Sequence, residues 1–153
     1  MRKNEKEIKD NAIIEDILRT NHVCRIALSH NDFPYIVSMN YGYKDGVIYL
    51  HSASEGKKID IIKSNNNVCF EITDSVKTIH SGEACKFTTA YRSVIGFGKI
   101  HIVDSVDEKK EGLLSLMTQH TFKSDWDMPA EAIDKQTVLK ITIDEITGKR
   151  SGV

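Results

Sequence analysis

Hydrophobic positions change period several times along this chain, and each change marks an element. Ile13, Ile14, Ile17 and Leu18 fall on one helical face behind Asp10 or Asn11 as N-cap, which predicts a helix ending near Thr20-Asn21. Val23 to Leu28 reads as a strand, closed by the polar turn Ser29-His30-Asn31-Asp32. Tyr35 to Tyr43, rich in β-branched and aromatic residues, is a second strand. Lys44-Asp45-Gly46 then predicts a hairpin turn into Val47–Leu50, since Asp-Gly supplies the positive φ such turns need. A helix follows and stops in the cluster Asn65-Asn66-Asn67, and Val68–Ile72 makes a fourth strand.

Residues 74–89 carry no clear period and read as a long loop holding His80, Gly82 and Cys85. A loop of that length in a compact domain is either functional or poorly ordered. The fifth strand runs from Tyr91 to Val103, where Gly96 and Gly98 mark a bulge or a close approach. A helix from Val106 to His120 carries Leu113, Leu114, Leu116 and Met117. Phe122 to Ile133 is a connector with Trp126 and Pro129, and the alternation of Leu139–Asp144 closes the sheet. Most connections are too short for parallel crossovers. The expected fold is therefore mainly β with flanking helices, a six-stranded antiparallel barrel in one domain spanning 1–153.

Composition narrows the function. A net charge of -1 gives no electrostatic case for nucleic acid or an anionic membrane as partner. No apolar run approaches the twenty or so residues that cross a bilayer. The start Met1-Arg2-Lys3-Asn4-Glu5-Lys6-Glu7 is charged and leads to no signal-like apolar stretch, so a cytoplasmic location is expected. The three cysteines form no CxxC pair, which argues against a disulfide framework or zinc ribbon. Cys24 and Cys69 are expected as small core residues, and Cys85 on a loop. His22 and Cys24 would share a strand face, as two metal ligands might be placed, but no second pair at ligand spacing supports a metal.

The segment His51-Ser52-Ala53-Ser54-Glu55-Gly56-Lys57-Lys58-Ile59-Asp60-Ile61-Ile62 carries the most chemistry. A strand runs through a small-residue turn into a helix with two lysines in its first turn. Open N–H groups at a helix start beside Lys57 and Lys58 make an anion site, with Ser52 and Ser54 as hydroxyl donors. The simpler alternative is a capped helix with a solvated basic face.

Taken in order, several phrases resemble the FMN-binding split barrel of the pyridoxamine-phosphate oxidase superfamily, and its nitroimidazole-resistance branch most. They are Val23-Cys24-Arg25-Ile26-Ala27, Pro34 through Tyr43, and His51-Ser52-Ala53 with Gly56-Lys57-Lys58. Val68-Cys69-Phe70-Glu71, Tyr91 through Gly98 and Glu145-Ile146-Thr147-Gly148-Lys149 complete the set. The resemblance implies a homodimer with FMN at the subunit interface. It places Tyr35, Ile36, Val37, Ser38, Met39 and Asn40 along the flavin ring, and Lys57 and Lys58 on the phosphate. It also implies flavin contacts from Ser52, Arg92 and Ser93, and from Trp126 over the partner's flavin, for which interface packing is the alternative. His51, the residue that marks the nitroimidazole branch, would face the ring and either donate a proton to a nitro group or only brace the turn. The family's arginine- and proline-bearing tail is replaced by Ile146 to Val153, which speaks against vitamin B6 oxidation.

The implied activity is FMN-dependent oxidoreduction of nitroaromatic compounds of the 5-nitroimidazole kind. A flavin-sequestering module without turnover is the alternative in another class. Haem binding is a third, with His22, His80, His101 and His120 as the available axial ligands.

Overall fold

The computed structural model describes residues 4–152; Met1–Lys3 of the charged start and Val153 lie outside the described residues. Among the described residues seven strands form one antiparallel sheet: β1 (Glu7–Ile8), β2 (Val23–His30), β3 (Phe33–Lys44), β4 (Val47–Ser52), β5 (Asn67–Ile79), β6 (Thr88–Ile102) and β7 (Thr137–Ser151). Four α-helices accompany them among the described residues: α1 (Asn11–Thr20), α2 (Lys57–Ser64), α3 (Val106–Thr121) and α4 (Ala130–Asp134). Lateral order β7-β4-β3-β2-β5-β6 closes on itself through a β6–β7 ladder, giving the six-stranded ring expected. The two-residue β1 lies outside that ring on β7.

Closure buries one face of every strand. Cys24, Ile26, Leu28, Ile48, Leu50, Phe70, Ile72, Val94, Ile100, Leu139 and Ile141 fill the barrel, and Ile14, Ile17 and Leu18 of α1 join them. Asp10 caps α1 by accepting from the Ala12 N–H at 2.9 Å. Asp45 and Gly46 both adopt positive φ in the β3–β4 turn, as the Asp-Gly pair requires. The β6 glycines answer to both expectations. A Cβ at Gly96 would stand 2.3 Å from the Phe70 ring and one at Gly98 2.0 Å from the Thr142 carbonyl, and the β6–β7 register shifts between Phe97 and Gly98.

Four expectations need correction. Residues 74–79 and 88–89 are not loop: they continue β5 and β6 as a hairpin arm, paired through Lys77–Ala90 and Ile79–Thr88 around a bulge. Their side chains are mostly exposed on both faces, so no hydrophobic alternation announces the strand. β7 extends to Ser151, far past Asp144, because it follows β6 from Leu139 to Ser151, whereas only its first half, Thr137–Thr142, also pairs with β4. The connector after Phe122 holds the short α4, which a hydrophobic period cannot reveal in five residues. Cys24 is fully buried, and its thiol is pushed up to about 12, chiefly by that burial. Cys69 instead lies half-buried on the outer face, and Cys85 is exposed.

Candidate functional site

The site grows from a place where the barrel is not sealed. β3 pairs with β4 only from Tyr41 to Lys44, whereas its other edge follows β2 from Phe33 to Asn40. Beyond Leu50 the chain leaves β3, turns through residues 53–56 and enters α2. Among the described residues no strand covers the free edge of β3 over 33–40, so its backbone groups are open to a ligand.

α2 supplies charge to that edge. Its N-cap, Gly56, has φ 107° and offers no side-chain cap, so the first N–H groups keep their donors open. Lys57 Nζ stands 4.7 Å over the Tyr35 ring, and Lys58 Nζ donates to Met39 Sδ at 3.4 Å. Among the described residues neither lysine pairs with a carboxylate. Partial burial against so weak an acceptor pulls the Lys58 ammonium below its ordinary pKa. Two unpaired ammonium groups, open helix N–H groups and an open strand edge fit a phosphate dianion at the end of an extended ligand.

The residues read along β3 divide between two faces. Tyr35, Val37 and Met39 turn inward against the core, whereas Ile36, Ser38 and Asn40 point out. Ser52 is buried and its hydroxyl donates to the Ala53 carbonyl at 2.9 Å, which shapes the turn. His51 is exposed on the outer face of β4, its Nε2 2.8 Å from Gln136 Oε1. Gln136 donates its own amide to the Ala132 carbonyl at 3.2 Å, so Oε1 faces the histidine and accepts from Nε2–H. Nδ1 is thereby left as the ring atom available to a ligand. Gln136 had no period or motif to announce it; only the β4–β7 pairing brings it to His51.

Other expected residues stand apart from the lysines within one chain. Arg92 lies on β6, three strand spacings or roughly 14 Å across the sheet from β3. It makes a two-pronged pair with Asp74 at 2.7 and 2.9 Å and reaches Asp16 at 2.8 Å, tying α1 to the β5–β6 arm. Burial alone would raise the Asp74 pKa, but hydrogen bonds from Arg92, Asn21 and Ser75 outweigh it and hold the carboxyl low. Ser93 opens on a shallow hollow with Glu7, Ile95, Thr147 and Lys149. Trp126 donates to the Lys123 carbonyl at 3.0 Å beneath the Lys123 ammonium, a local arrangement of the connector. His22 does not share a face with Cys24: it stacks on His120 at 4.6 Å between ring centroids, and His120 Nε2 donates to the Tyr41 carbonyl at 3.2 Å.

The outer face of the ring carries an apolar row beside the Arg25–Glu71 ion pair. Ile36, Ala27, Cys69 and Phe97 face one another across four neighbouring strands, with Ile95 two residues from Phe97 on the same face. Phe97 is 51% exposed and Ile36 64%.

A closed six-stranded antiparallel ring with one edge parted by a helix start defines the split β-barrel class. The pyridoxamine 5'-phosphate oxidase model matches residues 10–150, and the chain belongs to that family. It is similar to a candidate 5-nitroimidazole antibiotic resistance protein from Bacteroides thetaiotaomicron, at 30% identity and TM-score 0.83 over 94% of this chain and 86% of that one. It also matches the flavocytochrome Anf3 from Azotobacter vinelandii, at 17% identity and TM-score 0.83 over 100% and 72% of the two chains. An FAD-binding protein from Mesorhizobium loti aligns at 21% identity and TM-score 0.67 over 94% and 96%. The last two likenesses establish the shared fold. No curated protein matches the chain. Among the described residues no helix is long and apolar enough to cross a membrane.

Proposed function

We propose that the protein is a flavin-dependent oxidoreductase that holds FMN in the groove between β3 and α2 and reduces nitroaromatic compounds. The observation that carries this reading is the unpaired Lys57–Lys58 cation pair at an uncapped helix start, set against an open strand edge. Lys57, Lys58 and the α2 N–H groups hold the phosphate, and the β3 edge aligns the ring system. The likeness to the Bacteroides nitroimidazole-resistance candidate supports the choice of nitroaromatic acceptor.

A bound flavin supplies the electrons, taken from an external donor such as a nicotinamide. The chain's own residues bind, orient and manage the proton. Gln136 fixes the His51 ring through Nε2, so a protonated His51 would present Nδ1–H to a reduced nitro oxygen. Ala27, Ile36, Cys69 and Phe97 give the face on which a second copy docks, consistent with patches of this kind marking interfaces. In such a dimer Ser93 and Trp126 approach the partner's flavin, while Arg92 braces the strand that carries Ser93.

Anaerobic mixing of chemically reduced protein with a 5-nitroimidazole tests the activity. Reoxidation of the flavin with loss of nitro absorbance is expected, and His51→Asn should slow it by about 10²–10⁴-fold while flavin stays bound. Reduced protein that persists unchanged beside the nitro compound would make this a flavin-sequestering module. Haem suits these histidines less well, since His120 spends Nε2 on Tyr41 and its ring on His22.

A further inference from the structure

His51 is the first residue of β4 past the parting, since Leu50 is the last to pair with β3. It therefore stands where the open edge meets the turn into α2, with its side chain exposed. Gln136 reaches it from the opposite strand, because Thr137 pairs with Ser52 and Val138 with His51. The Gln136 amide cannot be turned around. Reversed, its oxygen would face the Ala132 carbonyl oxygen, two acceptors with no proton between them, and the 3.2 Å bond would be lost. The segment that carries it is pinned as well. Its backbone N–H donates to the Ile133 carbonyl at 2.9 Å, Ile133 is buried, and Lys109 of α3 donates to the Asp134 carbonyl at 2.9 Å. Oε1 is thus fixed as an acceptor 2.8 Å from His51 Nε2, whatever the charge on the ring.

The consequence lies at the other nitrogen. A neutral imidazole has one N–H and one lone pair. With its proton held at Nε2, neutral His51 offers a lone pair at Nδ1, and only the imidazolium offers Nδ1–H. A nitro group has acceptor oxygens alone, so it meets the neutral ring lone pair to lone pair. A hydroxyl or a ring N–H meets the same atom as a donor. Among the described residues no carboxylate pairs with His51 to keep it charged. The charged residues that flank the pair along the chain and on β7 are Glu55, Lys57, Asp134, Lys135 and Lys140, the last engaged by Glu108.

Resting on the flavin reading above, we infer that Gln136 is a positioning residue that makes neutral His51 a hydrogen-bond acceptor, so that the groove takes a planar ligand with an O–H or N–H donor, a phenol or an azole. Nitro compounds are taken once the ring is protonated. One proton on His51 thereby selects between two ligand classes at the same flavin.

The test titrates oxidised, flavin-loaded protein with 4-methylphenol and with 4-nitrotoluene, two rings of similar shape that differ in donor and acceptor, and follows the flavin spectrum. It is run at about pH 5 and about pH 8, the span over which a histidine changes charge. The phenol is expected to bind about three- to tenfold more tightly at the higher pH and the nitro compound at the lower, the scale of one hydrogen bond. Gln136→Leu frees the ring to take the other tautomer and should abolish the phenol's advantage at high pH. Gln136→Glu puts a carboxylate on Nε2–H and should move the crossover up by about 1 to 3 in pH. Nitrogen NMR of the neutral protein should find the His51 proton on Nε2, a readout that needs no flavin. The same pH trend for both probes, no binding of either, a Gln136→Leu protein that sorts them as wild type does, or a proton on Nδ1 would overturn the inference and leave flavin binding in place. Failure of the protein to bind flavin would overturn the flavin reading, and the inference with it.

Discussion

Lys57 and Lys58 sit in different surroundings, and that difference makes their replacement informative. Lys57 is exposed and rests over Tyr35, a cation–π contact of about 0.5–1 kcal/mol at such sites. Lys58 is half-buried with, among the described residues, only a thioether as partner, so its charge is a cost to the empty fold. Lys57→Ala should therefore lower stability slightly, whereas Lys58→Met should raise the melting temperature of flavin-free protein. Binding should move the other way in the second case. A charge-assisted hydrogen bond contributes about 1.5–3 kcal/mol, so each substitution should weaken FMN about 10- to 150-fold. Riboflavin, without the phosphate, should lose little in either variant. Calorimetric titration with FMN and riboflavin, beside thermal unfolding without ligand, measures both signs. The anchor also gives a pH dependence: phosphate favours charged Lys58, so FMN affinity should fall as pH rises through a value below the ordinary 10.5. Unchanged FMN affinity in Lys58→Met, or equal losses for FMN and riboflavin, would refute the phosphate anchor.

Two further outcomes follow from the outer face and from the Arg92 network. Phe97→Lys places a charge at the β6 end of the apolar row and should weaken the proposed self-association by about 2 kcal/mol or more, lowering flavin affinity with it; sedimentation over a dilution series reads this, and association equal to that of wild type would point to another interface. Asp74→Asn should cost about 1–3 kcal/mol at neutral pH. Because folding lowers the Asp74 pKa, its contribution is complete above the ordinary 3.8 and lost as pH falls through the folded value. Denaturant unfolding of wild type and variant should therefore converge in acid, and a gap that widens there would contradict the ion pair.

Legibility in the sequence followed what each residue does locally. Asp10, Asp45-Gly46, Gly96 and Gly98 act through backbone rules that hold wherever they occur, and the structure uses each as expected. The hairpin arm at 74–89 was hidden because both of its faces are wet, which removes the period that marks a strand. The second half of β7 was hidden for a similar reason: Asp144, Glu145 and Thr147 point outward among apolar residues only partly buried. The lysine pair was visible as a helix start, but the free edge beside it depends on where β4 leaves β3, a tertiary event. Gln136 shows the limit most plainly, because 85 residues separate it from the histidine it holds.

The absorption spectrum of the purified protein, with the chromophore released and weighed by mass spectrometry, tests the central claim most directly. The account predicts flavin bands in the violet and blue, a released flavin phosphate, and loss of both from a Lys57→Ala, Lys58→Ala double variant that remains folded. A Soret band with released haem, or a colourless protein that stays colourless when incubated with FMN and FAD, would contradict it.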